Sequence, residues 1–202
     1  MTLTAEFHFD FGSPNAYLSH LVIPGIEERT GVKIEYLPVL LGGVFKTTGN
    51  VSPAISLAGI ENKPAYQQLE TTRFLEKHDI TDYAMNPFFP VNTLQIMRGA
   101  LAADVLGVFD KYVDVVYANM WADPKKMDEA DIIATALTEG GLNAEEIMAK
   151  SQDPEVKAKL IANTEASVGR GNFGSPTFFC GDQMFFGKDK LRDFEEMILD
   201  RK

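Results

Sequence analysis

The chain has 202 residues, 45% of them apolar, 24% charged and 10% aromatic, enough for a sizeable core in one domain or in one domain that carries a large insertion. Nineteen basic residues against 29 acidic ones give a net charge of -10, which repels phosphate backbones and argues against nucleic acid as a partner. A single cysteine, Cys180, forbids an internal disulfide, a Cys-rich metal site and dithiol exchange, and no segment approaches ~20 uninterrupted apolar residues or reads as a signal peptide, so the expectation is a cytoplasmic protein with no membrane span and no metal.

Phe7, Phe9 and Phe11 alternate with His8 and Asp10, the period of a strand with an aromatic face. Gly12-Ser13-Pro14 breaks it. Apolar residues from Ala16 to Ile26 then recur at helical spacing, with Ser13 as N-cap, Pro14 at the first helical position, Pro24 as a candidate interruption and Gly31 as the stop. Val32, Ile34 and Tyr36 alternate with Lys33 and Glu35 up to Pro38, a second strand that a right-handed crossover places parallel to the first. From about Leu40 to Val168 no strand pattern follows. Helices are expected over 66–77, 93–106, 109–121, 129–139, 144–149 and 154–168, with Asp128 and Asp153-Pro154 as starts, and with polar loops over 49–53 and 86–93. Two short apolar runs, 177–180 and 183–186, flank Gly181-Asp182 as a hairpin, and a helix over 188–199 follows. The order predicts an α/β protein in which a βαβ…ββα layer, residues 1–40 plus 169–202, is interrupted by an all-helical insertion, 41–168.

The opening run Phe9-Asp10-Phe11-Gly12-Ser13-Pro14-Asn15-Ala16-Tyr17, the late run Phe173-Gly174-Ser175-Pro176-Thr177-Phe178-Phe179, and the segments Lys46-Thr47-Thr48-Gly49-Asn50 and Phe186-Gly187-Lys188-Asp189-Lys190-Leu191 together resemble the thioredoxin-like family of 2-hydroxychromene-2-carboxylate isomerases and kappa-class glutathione transferases. The resemblance spans essentially the whole chain. It implies glutathione as cofactor, with Ser13-Pro14-Asn15-Ala16 filling the slot where redox members carry Cys-x-x-Cys. It also implies a cis-proline loop at Ser175-Pro176 facing the start of the first helix, a site for the γ-glutamyl end at Phe186, Gly187, Lys188 and Asp189, and further cofactor contacts from Asn50 and Lys63. Lys46 is the candidate cation for a substrate carboxylate, and Phe88 and Phe89 are candidates for an aromatic-substrate wall or for plain helix packing. A homodimer acting on small molecules is expected.

Ser13 also has an ordinary reading, since serine before proline is a common helix start. No Gly-x-Ser-x-Gly elbow surrounds it, and His8, His20 and His78 have no motif context that marks a base or a ligand. A hydrolase triad is therefore unsupported, and a hydrogen-bond donor to the glutathione sulfur is the role the resemblance implies. Lowering a thiol by two pKa units from about 8.5 takes about 2.7 kcal/mol, whereas a helix N-terminus supplies only ~0.3–1 and a charge-assisted hydrogen bond ~1.5–3. The expected activity is glutathione-dependent cis-trans isomerisation of an aromatic-derived unsaturated carboxylate; the alternatives are a kappa-like transferase or peroxidase, and a non-catalytic glutathione-binding module.

Overall fold

A computed structural model describes residues 3–202. Strand β1 (Ala5–Phe9) leads into helix α1 (Pro14–Thr30) and returns as β2 (Glu35–Pro38); β3 (Thr177–Cys180) and β4 (Gln183–Phe186) close the sheet, whose order is β2-β1-β3-β4. β1 and β2 are parallel, and the other two pairings are antiparallel, with Phe7 standing between Tyr36 and Phe178 in register. The fold is mixed α/β and thioredoxin-like. β1 is buried on both faces: Phe7, Phe9 and Phe11 are fully enclosed, and so are His8 and Asp10 between them. Each fully buried Phe contributes about 1.5–3 kcal/mol of transfer free energy, so this one strand anchors the sheet layer.

Helix α1 starts as its sequence dictates. The Ser13 hydroxyl accepts the amide of Ala16 at 3.2 Å, Pro14 occupies the first turn where its missing N–H costs nothing, and Gly31 stops the helix at φ 66°. Pro24 does not interrupt it. The helix stays continuous because Ile23 and Ile26, on either side, are both buried in the core, while Pro24 itself faces solvent.

Between the two sheet segments the described residues form helices only: α2 (Leu41–Thr48), α3 (Pro53–Ser56), α4 (Lys63–Lys77), α5 (Leu94–Val105), α6 (Phe109–Trp121), α7 (Ala130–Glu139), α8 (Ala144–Lys150) and α9 (Pro154–Gly169). Helix α2 and the single turn α3 lie where the sequence pattern was silent, and α4 begins a turn before the expected 66. Asp128 is not the cap of α7: Glu129 holds that position without a side-chain bond, and Asp128 Oδ2 instead accepts the amide of Asn92 at 3.4 Å. The closing helix begins with a tight turn (Lys188–Lys190) before α10 (Leu191–Arg201).

The core runs without a break from Phe7 and Phe178 in the sheet through Met97, Tyr112 and Trp121 to Ile147 and Leu160. The indole of Trp121 donates to the carbonyl of Phe11 at 2.8 Å, which fastens α6 to the end of β1. Among the described residues no helix is long and apolar enough to cross a membrane.

Candidate active site

The C-terminal end of β1, the start of α1 and the loop before β3 meet at one point. The chain turns after Phe9 so that the Ser13 amide donates to the Asp10 carbonyl at 3.1 Å, and the Ser13 hydroxyl, besides capping α1, donates to the carbonyl of Ser175 at 2.8 Å. Ser13 is therefore both a helix cap and a cross-link to the facing loop, and it is only 6% exposed. The Ser175–Pro176 peptide is cis, as is Phe89–Pro90. The Ser175 hydroxyl accepts the Asp10 amide at 3.2 Å and, among the described residues, donates its own proton to no protein acceptor. That leaves a second hydroxyl with an uncommitted proton beside Ser13.

The loop is held rigidly from behind. Asn172 accepts from the Gly174 amide at 2.8 Å and from the Thr177 hydroxyl at 2.9 Å, and its own amide donates to Ser167 of α9 at 2.7 Å. Ser167 also bonds to His8 Nδ1 at 2.7 Å, and burial together with the nearby Arg170 drives the His8 imidazole down to about 3. His8 is thus a neutral structural ring, as its lack of motif context implied.

Asn50 reaches the same loop: its amide donates to the Phe173 carbonyl at 2.7 Å, and its oxygen accepts the Val51 amide at 2.8 Å. The Phe186 ring packs tilted against Phe173 with ring centroids 4.5 Å apart, and a side chain at Gly174 would collide with that Phe186 ring. The Gly187 amide donates to the Pro176 carbonyl at 3.0 Å, placing the start of the last helix against the cis-proline loop. Ser13, Asn50, Ser175, Pro176, Phe186 and Gly187 are thereby brought together.

The remaining candidates divide. Lys188 is nearly buried, 4% exposed, with its ammonium 2.5 Å from Asp189 Oδ1 and 4.7 Å from the centre of the Phe74 ring on α4. Lys188 and Asp189 line a cavity of about 340 Å³ between α1, α4 and α10, so one oxygen of Asp189 is committed to Lys188 while its carboxylate stays largely exposed. Lys46, in the last turn of α2, and Lys63, the first residue of α4, are both exposed. Phe89 packs against Trp121 at 6.2 Å, which answers to helix packing, and Phe88 stands 48% exposed. Phe173, which the sequence analysis left unassigned, is 38% exposed beside Phe186. Asp10, also unassigned there, is enclosed beneath Ser13 with three hydrogen-bond donors converging on its carboxylate. A lone acid within an aromatic strand was the one signal for it, since two of those donors are 31 and 83 residues away in sequence. No group of three or more His, Cys, Asp or Glu among the described residues is arranged to hold a metal ion.

The arrangement offers a helix N-terminus, two hydroxyl donors and a rigid loop, with no cysteine at the crevice. With its one cysteine buried in β3, the chain has no dithiol for disulfide exchange.

The model of the DSBA-like thioredoxin domain matches residues 4–199, and the chain belongs to that family. It is 27% identical over 203 residues to a 2-hydroxychromene-2-carboxylate isomerase of Sphingobium xenophagum, covering 99% of this chain and all of the relative. It is 26% identical over 210 residues to glutathione S-transferase kappa 1 of Caenorhabditis elegans, covering 96% and 89% of the two chains. Among solved structures, a 2-hydroxychromene-2-carboxylate isomerase superposes with a TM-score of 0.81 at 24% identity over 96% of this chain and 93% of the other, a likeness of fold.

Proposed function

We propose that the protein is a glutathione-dependent cis-trans isomerase of the 2-hydroxychromene-2-carboxylate isomerase type, acting on an aromatic-derived unsaturated carboxylate. The observation that carries the reading is the Ser13 hydroxyl, seated at the N-terminus of α1 and reaching the cis-proline loop in a crevice without cysteine. The full-length relatives named as isomerases support it. The residues present suit glutathione: hydroxyl donors at Ser13 and Ser175 for the sulfur, the Asn50 amide beside the loop, and the exposed Asp189 carboxylate with the neighbouring Lys188 ammonium for the charged γ-glutamyl end. Lys63 is a further cofactor candidate from the start of α4.

Glutathione, when bound, supplies a thiolate for reversible addition to the conjugated carbon, which frees rotation about the former double bond before elimination. Ser13 stabilises the charged sulfur by turning its proton from the Ser175 carbonyl to the thiolate. Exchanging a neutral hydrogen bond worth ~1 kcal/mol for a charge-assisted one worth ~1.5–3, and adding ~0.3–1 from the helix end, leaves about 1–3 kcal/mol, or one to two pKa units. The spare Ser175 proton adds a second donor. The sheet layer, residues 1–40 with 169–202, together with Asn50 and Lys63, forms the cofactor half of the crevice, and the rest of the helical part, 41–168, supplies the substrate half, with Lys46 for the carboxylate and Phe88 as aromatic surface, to which Phe173 of the sheet layer adds.

Binding of glutathione, followed by the ultraviolet absorbance of its thiolate, tests the reading: a bound thiol with an unshifted pKa, or no binding, removes it. The kappa relatives favour a second reading, a glutathione transferase or peroxidase, which net consumption of thiol during turnover would establish. A module that binds glutathione and turns nothing over is the third outcome. The reading includes a cytoplasmic location and a homodimer; light scattering that returns a monomer removes the latter.

A further inference from the structure

Asp10 is the only fully buried carboxylate among the described residues, and no Lys, Arg or His among them pairs with it. Leaving an anion in such a place costs several kcal/mol unless hydrogen bonds replace its water. They do. Oδ1 accepts the Gly12 amide at 2.8 Å, and Oδ2 accepts the Leu41 amide at 2.7 Å and the Thr93 hydroxyl at 3.0 Å. The main chain of the same residue accepts from the Ser13 amide and donates to the Ser175 hydroxyl. One residue therefore touches the turn that carries Ser13, the cis-proline loop, the first residue of α2 and the residue before α5.

Only a carboxylate can serve all three side-chain bonds. An asparagine has one acceptor oxygen and would point two N–H groups at a donor, and an apolar residue would orphan all three partners. The space is also tight, since a side chain at Gly12 would meet the Thr93 methyl at 3.0 Å and Asp10 Oδ1 at 3.2 Å. The partners are not interior groups in general but the ones that bound the crevice: α2 bears Lys46 and leads to Asn50, and Gly12 precedes Ser13.

We propose that Asp10 is a positioning residue, whose carboxylate fixes the Ser13 hydroxyl against the cis-proline loop and holds the starts of α2 and α5 at the crevice so that its two halves keep one spacing. The thiol chemistry this spacing serves rests on the glutathione reading above; the positioning itself does not. Burial raises the Asp10 carboxyl above the usual range, and the Leu41, Gly12 and Thr93 bonds oppose that rise.

The informative variant is Thr93→Val, which removes one donor without changing charge or shape, with Thr93→Ser as its rescue and Asp10→Asn as the companion. Thr93→Val is expected to lower the thiolate fraction of bound glutathione at neutral pH by about threefold, with Thr93→Ser restoring it. A lower melting temperature with an unchanged thiol pKa means that Asp10 only stabilises the fold and overturns the proposal. Amide NMR shifts, read without any cofactor, separate this from a failure of the glutathione reading. Gly12, Ser13 and Leu41 moving together in Thr93→Val supports positioning even if glutathione never binds. A change confined to residues 92–94 refutes it.

Discussion

The loop 172–177 and the segment 51–69 meet at Asn50, yet they are built on opposite principles. In the loop, Asn172, Gly174, Ser175 and Thr177 are all hydrogen-bonded, to one another, to Ser167 of α9 or to Asp10 and Ser13 in the turn between β1 and α1, and Pro176 and Thr177 are buried together with Phe178. In the segment, Val51, Ile55, Ile60, Tyr66 and Leu69 are each 45% or more exposed, and Phe74 is the only buried residue of α4. Constrained polar bonding fixes a geometry, whereas exposed apolar side chains fix none. The part of the crevice that must hold a hydroxyl within a fraction of an ångström is thus made from the first kind of structure.

Truncation should break this contrast most visibly. Phe9, fully buried among Phe7, Phe11, Tyr36 and Tyr117, should cost about 3–5 kcal/mol as Phe9→Ala in urea unfolding. Acid comes next. His8 has its folded pKa depressed to about 3 from 6.5, so the unfolded state binds the extra proton between those values. Its contribution is fully present above about pH 6.5 and declines by up to about 1.4 kcal/mol per unit as pH falls towards 3. Asp10, raised from 3.8, works with the opposite sign: its contribution is present at the lowest pH and is lost as pH rises through its folded pKa. Unfolding measured across that window in His8→Gln should show a flatter slope than the parent. Ser13→Ala should then raise the pKa of bound glutathione by about one unit in a spectroscopic titration and cost ~1 kcal/mol of stability through the lost cap. Lys46→Met should weaken anionic-substrate binding by at most about fivefold, because an exposed cation interacts through water, and should leave glutathione affinity unchanged in calorimetry. Smallest of all, Ile55→Ala, at a residue 73% exposed, should alter unfolding by less than about 0.5 kcal/mol. A large effect there would mean that the segment is covered by something in solution.

Local signals carried most of the fold. Ser13-Pro14 and Gly31 bracket α1, Gly181-Asp182 turns β3 into β4, and the six helices expected from periodicity are present within a few residues. Helix α2 was invisible because Leu41-Gly42-Gly43 has poor helix propensity. Its first amide is held by Asp10, a tertiary partner that no local window contains. The same limit hid the partners of Asp10 and the pairing of Ser13 with Ser175, 162 residues apart, whereas Ser13 itself was legible from its place after a strand and before a proline. Lys188, expected at the γ-glutamyl end, carries no local sign of its burial: the Phe74 ring of α4, far away in sequence, lies 4.7 Å from its ammonium.

The indole of Trp121, the one tryptophan of the chain, is bonded to the Phe11 carbonyl where the helices following β2 abut the strand that leads to Ser13. Its emission therefore reports the integrity of that joint alone. A shift to longer wavelength that precedes loss of helical circular dichroism would show the two parts separating before either melts, and coincident curves would show that they unfold as a single cooperative unit.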